Sequence, residues 1–79
     1  MDLQELDDQL LQAHADNDLP ALIRLYQEAA SQAEQRQDHD AACFYLTHAF
    51  VFALEYGAPE ADELNRKLYE RGRAHRLAF

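Results

Sequence analysis

Leu3, Leu6, Leu10 and Ala13 recur at intervals of three and four residues, with Leu11 on their flank and acids opposite. This spacing lays apolar side chains along one face of an α-helix and predicts a first helix over residues 2–15. The pattern breaks at Asp16-Asn17-Asp18, where short polar side chains can accept the unpaired N–H groups of a following helix. Asp18 is the expected N-cap. Pro20 then falls in the first turn, where a missing N–H costs nothing. A second helix places Leu22, Tyr26, Ala29, Ala30 and Ala33 on one face, widened near its start by Leu19, Ile23 and Leu25. Its Ala-rich second half lets another backbone pack near.

Gln37-Asp38-His39-Asp40 interrupts the apolar pattern and offers Asp38 or Asp40 as the next N-cap. The third helix, expected from residue 40 to 56, contains a run over 41–54 in which only Thr47 and His48 are polar. Apolar residues around most of a circumference mark a helix contacted on several sides. Gly57 suits a left-handed C-terminal cap, and Pro59 restarts the chain at the front of a fourth helix. There Ala61, Leu64, Leu68 and Gly72 form a thinner stripe with Tyr69 beside it. This helix is expected to cap one end of a stack and to fray over residues 74–79.

The chain has only two Gly and two Pro, and its β-branched residues are Ile23, Thr47 and Val51. The expected fold is therefore all-α: four antiparallel helices in a single domain over residues 1–79, stacked helix-turn-helix, with a generic four-helix bundle as the alternative. A chain this short buries only about 60% of the surface its unfolded form exposes, so association with a partner is expected to complete its core. Cys43, the lone cysteine, lies in the most apolar segment and reads as a small core hydrophobe suited to a reducing compartment. The acidic opening, with Asp2, Glu5, Asp7 and Asp8, is the reverse of a secretory or mitochondrial leader, and a cytoplasmic location is expected. The 41–54 run is shorter than the roughly 20 residues that span a bilayer, so no membrane association is expected.

Net charge is −8, unevenly spread. Residues 1–63 hold fourteen acids against Arg24 and Arg36, whereas residues 64–79 hold five bases against Glu70. An acidic body repels phosphate backbones, which argues against nucleic acid as a partner.

The central pattern resembles a tetratricopeptide repeat (TPR). Tyr26, Ala29, Ala30 and Ala33 resemble its first-helix positions, and Ala42, Leu46 and Ala49 the small–large–small triplet of its second helix. A competing register matches Phe50, Ala53, Leu54, Glu55 and Gly57-Ala58-Pro59 to the usual ending of the repeat; both registers hold only if the helices run about one turn longer than the family norm. The resemblance spans residues 19–59. It implies a peptide- or protein-binding surface, and since such arrays need about three repeats for stability, a single repeat flanked by halves is expected to pair with itself or with another protein. The subset of the family that grips a chaperone's C-terminal carboxylate does so with Lys, Asn and Arg residues on the first helices. Arg24 alone in the front half of the second helix does not supply that set.

Candidate chemistry is sparse. His39 and Cys43 are four residues apart, a spacing that serves zinc, but His48 lies about 140° around the helix from Cys43, so three ligands do not converge. Neither a metal nor a cofactor is expected. His48 lacks a neighbouring acid, Asp40 and Glu55 being two turns away, and reads as a hydrogen-bonded residue at the edge of an interface instead of a general base. The third helix carries more aromatic surface than its neighbours can cover, so Phe44, Tyr45, His48, Val51 and Phe52 are the expected interface with a second copy or a partner. The basic end complements the helix dipole; its sharper reading makes Arg71, Arg73 and Arg76 contacts to an acidic surface. The functional expectation is a non-enzymatic interaction module, a small TPR-like adaptor forming a homodimer. The alternative is an acidic regulatory subunit, of the immunity or antitoxin kind, that neutralises a basic protein.

Overall fold

The computed structural model describes residues 3–72. They form four α-helices, α1 (Leu3–Asp16), α2 (Leu19–Gln35), α3 (His39–Tyr56) and α4 (Glu60–Glu70), with no strand among the described residues. Asp18 and Asp38 cap α2 and α3, each accepting a hydrogen bond from the backbone N–H three residues on, at Ala21 (3.3 Å) and Ala41 (3.2 Å). Helix α4 starts at Pro59 without a side-chain cap. Glu60, Asp62 and Glu63 in its first turn supply negative charge to the exposed N–H groups instead.

The three turns are built alike, at intervals of twenty residues. Asn17, Gln37 and Gly57 adopt left-handed backbone with φ of 53°, 60° and 76°. Their N–H groups donate to the carbonyls of His14, Glu34 and Leu54, while the next residues, Asp18, Asp38 and Ala58, donate to those of Ala13, Ala33 and Ala53 at 2.9–3.0 Å. This pair of bonds satisfies the last carbonyls of each helix and reverses the chain. Ala13, Ala33 and Ala53 are all buried.

Each helix packs on its chain neighbours, α1 on α2, α2 on α3 and α3 on α4, and no other pair of helices comes into backbone contact among the described residues. In a closed bundle the first and last helices would meet. Here the helices form an open stack, a slab of 34 × 29 × 13 Å. The most extensive contact joins α2 to α3, where Ala30 and Ala33 face Ala42, Ala49 and Ala53, all nearly or fully buried. One core layer joins Ile23 of α2, Leu46 of α3 and Leu64 and Leu68 of α4; the other joins Leu6 of α1 to Leu22 and Leu25 of α2, and Tyr26, Tyr45 and Phe52 pack against both. Each fully buried leucine contributes about 1.5–3 kcal/mol by leaving water. No described helix is long and apolar enough to cross a membrane.

Helix α4 differs from its expected stripe. Ala61, Leu64 and Leu68 are buried, but Gly72 lies beyond the helix in a left-handed conformation and is exposed; the fourth buried position is Asn65.

Candidate interaction face

One side chain of α2 reaches rings of both α1 and α3. That side chain is Tyr26. Its ring stacks on those of His48 (centroids 5.0 Å apart) and Phe52 (5.8 Å), is tilted against Tyr45 (6.3 Å) and meets His14 of α1 edge-on (5.9 Å). His14 also meets Phe52 edge-on at 5.8 Å, which ties α1 to α3 although their backbones do not touch. Aromatic pairs at these separations add about 0.5–1.5 kcal/mol beyond the area they bury. His14 Nε2 lies 2.9 Å from the Tyr26 hydroxyl. Burial, and secondarily the neighbouring Tyr45, raises the Tyr26 phenol above its ordinary value, so it stays protonated.

His48 donates from Nδ1 to the Phe44 carbonyl at 2.9 Å, which fixes its tautomer and holds its ring 4.4 Å from that of Phe44. Thr47 donates its hydroxyl to the Cys43 carbonyl at 2.8 Å. With these polar atoms turned back onto α3, the outer surface is left apolar. Phe44 is 58% exposed, Val51 45% and Leu11 of α1 70%. Thr47, His48, Val51 and Phe52 border a cavity of about 300 Å³.

Of the expected interface residues, Phe44 and Val51 therefore stand in solvent, whereas Tyr45, His48 and Phe52 are half-buried within the ring cluster. His14 and Tyr26 belong to the same cluster and were not among the residues singled out for it. The usable signal for His14 was its place one turn after Leu11, on the same flank of the α1 stripe. Tyr26 reads from sequence as plain core, because nothing local shows that it reaches between two other helices.

The opposite side of the slab carries a groove between α2 and α4, with Leu46 and Ala30 at its floor. It is dressed by charge. Arg71 pairs with Glu34 across the groove and donates to the Lys67 carbonyl at 3.1 Å, while Arg66 pairs with Glu63 and, at 2.6 Å, with Glu70. The basic end thus directs Arg66 and Arg71 to carboxylates of its own chain; Arg73 and Arg76, with the tail over 74–79, lie outside the described residues. Cys43 is buried in the core whereas His39 is exposed at the start of α3, and no group of three or more His, Cys, Asp or Glu converges among the described residues.

The chain matches no protein-family profile, no curated protein and no solved structure.

Proposed function

We propose that the chain is a non-enzymatic helical interaction module, a small cytoplasmic TPR-like adaptor that uses its α1–α3 face to hold another polypeptide and that self-associates. The observation that carries this reading is the pair of exposed apolar residues Phe44 and Val51 on α3, beside an apolar cavity. Aromatic and aliphatic side chains grouped around a pocket are the usual centre of a protein interface. The antiparallel stacking of each helix on its chain neighbours supports the TPR-like architecture. The turns recur every forty residues per helix pair, against 34 in that family, in keeping with helices longer than the family norm.

Sedimentation of the wild-type chain and of Phe44→Glu tests this reading. Wild type is expected to double its mass as concentration rises through the micromolar range, and the exposed glutamate to hold the chain as a monomer without loss of helicity. A wild-type monomer throughout, with no partner displaced by Phe44→Glu, overturns it. A second reading, a neutraliser of a basic protein, draws on the exposed acids of α1: Glu5, Asp7, Asp8 and Asp16. It requires binding that weakens steeply with salt.

A further inference from the structure

We infer that the occupant of the α1–α3 face is a second copy of this chain, docked with the two α3 helices antiparallel across a twofold axis beside Thr47. The inference rests on the reading of that face as an interaction surface. By helix geometry, Asp40, Phe44, Thr47 with His48, Val51 and Glu55 form one lengthwise stripe of α3, and both ends of the stripe are exposed. Read in either direction the stripe has the same order: acid, large apolar residue, polar pair, apolar residue, acid. Turned end to end, it therefore meets itself in register, with Phe44 opposite the partner's Val51 and the reverse.

Knob and hole lie on the same helix. Phe44 projects 58% exposed, and the cavity between Thr47, His48, Val51 and Phe52 begins one turn further along. An antiparallel pair seats each Phe44 in the other copy's cavity at once, which closes the assembly with one self-complementary patch. A parallel pair brings knob to knob and leaves both cavities empty.

Charge selects the same occupant. The chain carries −8, so two copies repel wherever carboxylates face each other, yet α3 bears no formal charge between Asp40 and Glu55. A strongly basic partner would be drawn to the carboxylates elsewhere, whereas an acidic one finds its least repulsive approach here. The cost falls at the two ends, where Asp40 approaches the partner's Glu55, and replacing one of these acids by a base should relieve it.

Cysteine cross-linking in a Cys43→Ala background tests the geometry, read beside the sedimentation mass. Thr47→Cys is expected to cross-link to itself through a short bis-maleimide. Asp40→Cys mixed with Glu55→Cys is expected to give the mixed product, with neither linking to itself. Glu55→Lys should tighten association several-fold at low salt, with the gain lost at high salt. A doubled mass in which Glu55→Cys links to itself, or Thr47→Cys does not, overturns the antiparallel pairing and leaves self-association standing. A monomeric mass overturns both.

Discussion

The Tyr26 hydroxyl sits 2.9 Å from His14 Nε2 while the same ring stacks on Phe52 and His48, so one side chain of α2 fastens α1 and α3 together from beneath. Removing only the hydroxyl, in Tyr26→Phe, should cost about 0.5–1.5 kcal/mol, the net value of a single hydrogen bond. Removing the ring, in Tyr26→Ala, should cost about 3 kcal/mol, the lower end of the range for aromatic truncation, because the ring is only half-buried. Urea denaturation followed by circular dichroism distinguishes the two.

The same residue predicts an alkaline limit. Its phenol is raised above 10.0 in the folded chain by burial, so the unfolded chain loses this proton first as pH rises. The folded state then binds more protons than the unfolded one, and stability must fall from about pH 10 upward through the folded value. Denaturation midpoints measured between neutral and strongly alkaline pH should show a steeper fall for wild type than for Tyr26→Phe. Equal slopes would mean that Tyr26 titrates alike in both states.

Gln37 holds a left-handed φ of 60° where Gly57 holds 76° in the equivalent turn. Left-handed backbone costs a residue with a Cβ about 1 kcal/mol. Gln37→Gly should therefore stabilise the chain by up to that amount, less the entropy glycine loses on folding. Gly57→Ala should destabilise it comparably, and by backbone strain alone, since no atom lies within 4 Å of where its Cβ would sit. Thermal melts of the two variants should move in opposite directions.

Ala33 of α2 and Ala49 and Ala53 of α3 are fully buried. Enlarging any of them to leucine forces two helices apart and should cost about 1–3 kcal/mol. The Asp38→Ala variant, which removes the side-chain acceptor of Ala41 N–H, should cost about 1 kcal/mol. For Ala49 or Ala53, which lie three or more turns along α3 from the cap, the two effects should add; for Ala33, whose carbonyl accepts the Asp38 N–H, they should not.

Much of this architecture was legible from residue spacing. Asp18 as N-cap, Asp38 as one of two candidates, Gly57 as left-handed cap and the buried stripes of α1 to α3 follow from local rules that depend on a few neighbouring residues. Two features resisted. Gln37 and Asn17 take the same left-handed turn as Gly57 without being glycine, so the twenty-residue recurrence is written in backbone conformation and hardly in residue type. The buried Asn65 at a position equivalent to Tyr45 is likewise invisible to a hydrophobic pattern. In the interaction face, Phe44 and Val51 were readable because they lie opposite the Ala42–Leu46–Ala49 stripe. The contributions of His14 and Tyr26 were not, because they arise only when three helices are brought side by side.

The uniform turns also make the molecule modular in a way that can be engineered. Since every hinge uses the same pair of backbone bonds, copying residues 19–58 in tandem would add one descending and one ascending rod, lengthening the protein by about 8–10 Å per rod while α1 and α4 keep their neighbours. Copying a single rod would instead invert the polarity of everything downstream and transfer the ring-lined furrow to the wrong side.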